Sequence, residues 1–420
     1  MLNLRLKTSN IKGFIEYLAI MMIILSSGSM FFIIMNGEAT LYALLAVAVI
    51  TAVVCGINIV AIKKNMLICM SIGVCVLLNF VSNWENIVID NDIIILLIRL
   101  ASLLLIQSSI KEDVFIKKYV KIMYILSIIS LICFAYTMLV DYHLPFLIEE
   151  NKKGINYFYS FYHTVGYISV YERNSGIFWE APAYAIFLSI ALVFCMCRSD
   201  VFAKSGSIMK YYIVFLITLV STLSVYAFFY IAIAACLLLI SGKNNKSSTL
   251  DGNGLGKAKK NRWYYPVGAL LLLIIFVVVE SEFQLITHKL INRKGSFTTR
   301  FNDTYYSLML AKERLLTGYG IFNNYTVGKL KEFGVVNNSN GLAILLMAIG
   351  LPMLLGAAWR VCLSLKKMLK ASGLRLLIIM VWVGLFHFSE HLWLYTLFIS
   401  FMFTWRPSEN VPIIGERKQA

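Results

Sequence analysis

Apolar runs of about 15–23 residues recur along the whole chain, each long enough to cross a hydrocarbon layer roughly 30 Å thick as a helix. Lipid offers no hydrogen-bond partner to a backbone amide, so a run that crosses it must satisfy its own peptide groups and be helical. The composition points the same way: 59% of the 420 residues are hydrophobic and 14% charged, with a mean hydropathy of +0.76. A soluble protein cannot hide that much apolar surface. The expected class is all-α: a polytopic membrane protein with one integral membrane domain over 1–420. About twelve transmembrane helices are expected, near 14–35, 40–62, 66–81, 92–110, 119–140, 183–197, 211–222, 225–241, 264–280, 339–358, 376–388 and 391–405. The basic N-terminal segment MLNLRLKTSNIKG precedes a long apolar stretch without a small-x-small cleavage site, which reads as a retained first helix.

Lysine and arginine orient this arrangement. With the N-terminus inside, the segments assigned to the cytoplasm hold 25 Lys and Arg, while the short outer turns hold none. Two long outer loops hold the rest of the loop charge, 3 in 141–181 and 8 in 281–338. Both termini are therefore expected in the cytoplasm, with the Gly/Ser/Lys-rich stretch 242–262 as a flexible inner loop. The net charge of +16 is explained by topology, and no nucleic-acid partner is implied. The eight cysteines lie in or beside apolar runs and avoid both long outer loops, so no disulfide is expected.

The outer loops are too small for independent domains, and they are expected to lie over the bundle and form a cleft with it. The first ends in ERNSGIFWEAP, which gathers Arg173, Trp179, Glu180 and Pro182 just before an apolar run. Two readings stand side by side. Trp179 marks the membrane boundary, Pro182 suits a first helical turn and Glu180 favours the positive helix end; or the same charges form a site. The second loop carries SFTTRFNDTYYSLMLAKERLLTGYG, a helix expected from about Thr299 to Leu316 and stopped by Gly318 and Gly320. Phe301, Tyr305, Leu308 and Leu315 make an apolar stripe, with Arg300, Ser307 and Arg314 on another face. Such a helix lies along the membrane surface or packs on the bundle. Arg300 and Arg314 are about 21 Å apart along a straight helix, too far to grip one phosphate together.

Arg99 interrupts IIILLIRLASLLLI and is expected to face a cavity or a partner, because a charge at that depth costs about 2.5–3.5 kcal/mol on insertion scales. His387 and His391 stand four apart in HFSEH with Glu390 between them; no further ligand cluster accompanies them, and no metal is expected. P-loop, GxSxG and HExxH patterns are absent, which argues against an ATP-driven pump.

RNSGIFWEAPAYAIF (173–187) resembles the Arg–x–x–Gly–x–Phe–x–Glu–x–Pro motif of the O-antigen polymerase and ligase superfamily. AKERLLTGYGIFNNY (311–325) is similar to that family's stretch ending in Gly–x–Gly and an aromatic/Asn pair, and VVNNSNGLAILLMAIGLPMLLGAA (335–358) to its segment where His–Asn–Ser opens the next helix. The resemblance implies a membrane glycosyltransferase on the outer face of the bacterial cytoplasmic membrane. Its substrate would be an oligosaccharide linked to undecaprenyl pyrophosphate, used with no cofactor and no metal. A polymerase moves the growing glycan of an O-antigen, capsule or exopolysaccharide onto a new lipid-linked repeat unit. A ligase moves the finished glycan onto lipid A–core in lipopolysaccharide biosynthesis. Membrane lipids are the surrounding partner, and a chain-length-regulating co-polymerase is left open. On this reading Arg173, Arg300 and Arg314 receive the pyrophosphate, with Arg99 deeper. Glu180 is the first candidate general base, with His387 and His391 behind it. Trp179, Tyr157, Tyr159 and Tyr162 are candidates to stack on sugar rings. The position aligned with the ligase histidine is Asn337, which cannot act as a base near neutral pH; this favours the polymerase over the ligase. A lipid-linked oligosaccharide flippase is the alternative from another class, disfavoured by the long charged loops and the lack of an internal repeat.

Overall fold

The computed structural model describes residues 2–34, 37–83, 92–139, 148–152, 155–160, 163–168, 171–202, 208–244, 277, 294–321, 324–335, 340–389, 392 and 395–407. Expectations for 264–280, most of 242–262, Asn337 and His391 fall outside them. The first helices are α1 (Leu2–Leu25), α2 (Met30–Ile34), α3 (Gly37–Cys55), α4 (Ile59–Ser82), α5 (Asp92–Ser109) and α6 (Glu112–Leu139). After four strands come α7 (Ala181–Cys197), α8 (Ser199–Phe202), α9 (Met209–Ser221) and α10 (Val225–Asn244). The chain continues with α11 (Lys294–Glu313), α12 (Asn324–Glu332), α13 (Gly341–Met368), α14 (Gly373–Ser389) and α15 (Thr396–Ser400). Among the described residues, α3, α4, α6 and α13 are long and apolar enough to cross a membrane, and five shorter apolar helices accompany them. This is a helical membrane-embedded protein. The wall of the bundle is apolar on its outside, as lipid requires: Leu67, Met70, Val74, Leu77 and Val81 of α4 are all exposed.

The segment expected as a loop at 141–181 instead holds a four-stranded antiparallel meander in the order β1 (Ile148–Lys152), β2 (Ile155–Ser160), β3 (His163–Ile168), β4 (Tyr171–Gly176). Its aromatic and β-branched content suits a pleated surface. Tyr157 and Tyr159, two apart in β2, share one face of that strand, paired with Glu150 and Ile148. The sheet lies between α6 and α7, so the end of α6 and the start of α7 define what is called here the sheet face.

α7 is the centre of the bundle. All of its residues but Met196 are buried, and it packs on α6, α9, α10 and α14. Pro182 sits in its first turn, where a missing N–H costs little. On the face opposite the sheet, α7 ends in Arg198, whose side chain is 2% exposed. Its guanidinium pairs with Glu112 at 2.9 Å, with Asp113, and with Asp200 at 3.2 Å, and donates to the Met368 carbonyl at 2.8 Å. A residue counted in the sequence as loop charge is thus the pin that ties α6, α7, α8 and α13.

The apolar run at 391–405 is not one spanning helix. α15 has five residues, and the chain then turns and extends to 407. Other helices take up the backbone groups this releases. Gln107 donates to Ser400 O, Ser364 to Phe403 O and Arg360 to Met402 O, and Asn65 both donates to and accepts from Thr404. Trp405 stacks on Phe115 with ring centres 3.8 Å apart.

Removing Arg198 strands the buried Glu112 carboxylate. Arg198→Ala is expected to cost about 3–5 kcal/mol in detergent unfolding measurements. The Asp200 carboxyl is pushed up by partial burial but held below the usual carboxylate range by hydrogen bonds from Lys370 and Arg198. Its contribution is complete above about pH 4 and is lost as the pH falls through the lower folded-state value. Asp200→Asn should therefore lose less stability than the parent as the pH falls below about 4; an unchanged acid limb would contradict the pairing.

Candidate functional site

The stretch 171–182 leaves the sheet, crosses the broken end of the first helix and starts α7. In β4, Arg173 donates from Nε to Thr222 O at 3.1 Å in the α9–α10 turn. Its neighbour Asn174 is fully buried. The Asn174 amide donates to Ser221 Oγ at 3.0 Å and Ser130 Oγ at 3.3 Å, and its carbonyl oxygen accepts from Gly176 N at 3.0 Å. Ser130 also shares a hydrogen bond with the Tyr184 hydroxyl at 2.9 Å. These contacts fix the end of the sheet to α6, α7 and α9. Gly176 has φ +56, and a Cβ there would stand 2.7 Å from the Tyr184 ring, so the turn out of β4 requires glycine.

Beyond the turn, Ile177 O accepts from Met30 N at 2.8 Å, and Ser29 bridges to Phe178. α1 has stopped at Leu25 and α2 starts at Met30, so the extended 176–180 segment fills the gap between them. Phe178 points into the core against Tyr184 and Phe187. The edge of the Trp179 six-membered ring abuts Gly28, where a Cβ would come within 2.1 Å of the indole. The Trp179 indole N–H donates to Glu180 Oε1 at 2.8 Å. Glu180 occupies the N-cap position of α7 with extended backbone, yet its side chain makes no capping bond to the helix. The carboxylate is held by the indole.

The Trp179 ring is 5.7 Å from that of Tyr395, and the Arg99 guanidinium is 5.9 Å from the rings of both Tyr395 and Phe32. Arg99 is 5% exposed. It stands seven residues into α5, about 10 Å below that helix's end at the sheet face. Arg99 and the Trp179–Glu180 pair, drawn from two separate stretches of the sequence, thus come together with Phe32 and Tyr395. An oriented carboxylate, aromatic faces and a deep guanidinium can accept a proton, stack on a sugar ring and stabilise anionic oxygen.

The remaining candidates lie elsewhere. Arg173 sits at the α9–α10 turn. Arg314 donates to Asn83 Oδ1 at 2.7 Å just past α4, and its guanidinium is 5.1 Å from the Tyr319 ring. Arg300 belongs to α11, with its side chain outside the described residues, as are those of Tyr157 and Tyr159. His387 is in the last turn of α14, its ring 5.9 Å from Phe398. Among the described residues no group of three metal-ligating side chains occurs. Sequence reasoning missed Phe32, Gly28, Tyr395 and Asn174. Only Asn174 carried a signal, as a polar residue inside the motif itself.

No protein-family model, no curated protein and no solved structure matches this chain.

Gly28→Ala places a methyl group in the Trp179 ring and is expected to cost about 1–3 kcal/mol. Adding Trp179→Ala should recover the part of that loss due to the overlap in a double-mutant cycle of unfolding in detergent, leaving the cost of alanine at φ +89. Strictly additive losses would contradict the contact that orients the indole.

Proposed function

We propose that this protein is a polysaccharide repeat-unit polymerase, a glycosyltransferase of the bacterial cytoplasmic membrane with the sheet face outward and both termini in the cytoplasm. The observation that carries the reading is the Trp179–Glu180 pair, held by the motif stretch beside Arg99 and Tyr395 below the sheet face. The order of the three family-like motifs supports the same assignment, and the run of Lys and Arg in segments opposite the sheet supports the orientation.

The reaction joins an acceptor hydroxyl to the anomeric carbon of a lipid-pyrophosphate-linked glycan. The new C–O bond forms as the bond to the pyrophosphate oxygen breaks, and that oxygen leaves with the electron pair. Glu180 takes the hydroxyl proton, its free orientation limited by the indole N–H. Guanidinium groups receive the charge that develops on the leaving group, with Arg173, Arg300 and Arg314 at the rim and Arg99 deeper. Trp179 offers a face for sugar rings, with Tyr157 and Tyr159 of β2 as further candidates.

The test is reconstitution of the purified protein with one defined undecaprenyl-pyrophosphate-linked repeat unit, resolved as a ladder gel. The parent is expected to build chains. Arg173→Ala should lower the elongation rate by about 10²–10³-fold at normal protein level, the loss typical of removing one donor to a developing anion. Glu180→Gln should slow turnover more than donor binding. Full-length polymer from Arg173→Ala would remove the pyrophosphate assignment. Transfer of finished chains to lipid A–core would make the protein a ligase, and movement of the unit across the bilayer without elongation would make it a transporter.

A further inference from the structure

Helix α13 is broken where it should be continuous. Gly350 has φ +75 and ψ 168 inside an otherwise helical stretch, and Pro352 follows. The break releases carbonyls and an N–H that lipid cannot satisfy. Every replacement partner comes from α4 or from the segment after α11. Leu351 N donates to Leu315 O at 2.7 Å, Tyr319 N to Met347 O at 2.9 Å and Gly320 N to Ala348 O at 2.9 Å. The Asn79 amide of α4 donates to Thr317 O at 2.8 Å and Ala348 O at 3.1 Å, and its oxygen accepts from Ile321 N at 3.0 Å. Two glycines allow the crossing: a Cβ on Gly318 would stand 2.4 Å from Ala348 O, and one on Gly350 would stand 2.7 Å from Leu316 O.

These contacts fix a depth. The Asn340 amide, at the N-cap of α13, donates to Thr304 Oγ1 at 3.0 Å. Eleven residues later along both helices, Leu315 meets Leu351. α11 therefore runs beside α13 and in the same direction. From Gly341 to Trp359 α13 carries no charge, a length of about 28 Å that matches the hydrocarbon core. The crossing is met by Asn79, about 6 Å below the sheet-face end of α4, so it lies below that end of the bundle. The chain that descends as α11 turns there at Gly318–Gly320 and is back at the sheet face by Asn340.

The surface of α11 has the polarity this path demands. Its buried side carries Asp303 at 2% exposure and Ser307 at 0%, with Leu310 and Ala311. Its outward side and the turn after it carry Phe301, Tyr305, Leu308, Met309, Leu315 and Leu316, between 40% and 73% exposed, with Asn302 and, next to Arg314, Lys312 and Glu313 also exposed. In water this would be inside out. Against lipid it is the expected pattern, and it continues the exposed apolar residues Leu342, Leu355 and Trp359 of α13. Arg314, the cation nearest the turn, reaches back to Asn83 just past α4, as a snorkelling side chain does near headgroup phosphates.

We infer that α11 and the turn through 321 form the entering limb of a re-entrant segment that dips into the bilayer from the sheet face and is back there by Asn340, with the Phe301–Leu316 stripe against lipid acyl chains. The inference stands apart from the polymerase reading and concerns a helix that the sequence leaves either along the membrane surface or packed on the bundle. The test uses the full chain in nanodiscs of phosphatidylethanolamine and phosphatidylglycerol. p-Acetylphenylalanine replaces Phe301, Leu308 or Leu316, each exposed, or Lys331 of α12 as the aqueous reference, and carries a nitroxide through its ketone. The ratio of oxygen to nickel-chelate collisions should rise several-fold from Phe301 to Leu316, while Lys331 reads as water. Chelate access at Leu308 and Leu316 equal to that at Lys331 would overturn the re-entrant segment. A uniform interfacial depth from Phe301 to Leu316 would also overturn it, leaving a helix lying flat on the membrane.

Discussion

A backbone amide in lipid has no solvent to fall back on, so each interruption of a membrane helix must be repaired by another part of the chain. Among the described residues there are three such interruptions, and the architecture is organised around their repair. Between α1 and α2 the gap is filled by Ile177 and Phe178, with Ser26 and Ser27 reaching to Thr396 and Leu397. At Gly350 the gap in α13 is filled by residues 315–320 and by Asn79. After α15 the chain gives up helical structure, and Gln107, Asn65, Arg360 and Ser364 take over its backbone groups.

The first repair also builds the candidate site. Because 176–180 must lie extended across the end of α1, Trp179 is delivered onto Gly28 and its indole N–H toward Glu180. Tyr395 arrives on the strained approach to α15, and Arg99 comes from α5 on the side of Phe32. Four separate elements thus meet below the sheet face, where the low dielectric that makes an unpaired group expensive also strengthens a guanidinium's hold on an anion. Asn174, bonded to Ser130 and Ser221, holds the strand end against the bundle just before the candidate site residues.

Hydropathy made the helices legible, because burial in lipid is read locally: the runs at 92–110, 119–140 and 183–197 fall on α5, α6 and α7. The motif stretch was legible as a place where charge collects before a helix. Partners far apart in sequence were not legible. Nothing in the sequence near Asn79 announces Thr317, and nothing near Ser26 announces Thr396, since such pairs depend on tertiary approach. The α11 helix was expected from Thr299 to Leu316 and runs from Lys294 to Glu313, and its apolar stripe was seen without the side it faces. Arg198 was read as topogenic charge because a count of Lys and Arg cannot tell a solvated cation from one enclosed by Glu112, Asp113 and Asp200. The β meander was missed because lipid-scale hydropathy is silent about an alternating pattern such as INYFYS.

The account as a whole rests on broken helices being closed by protein rather than by water. Backbone hydrogen exchange in nanodiscs reads this directly. Peptides covering 315–321 and 347–351 are expected to exchange as slowly as the interior of α7, although neither stretch is a continuous helix. Exchange of 315–321 within seconds, at the rate of an exposed loop, would contradict it.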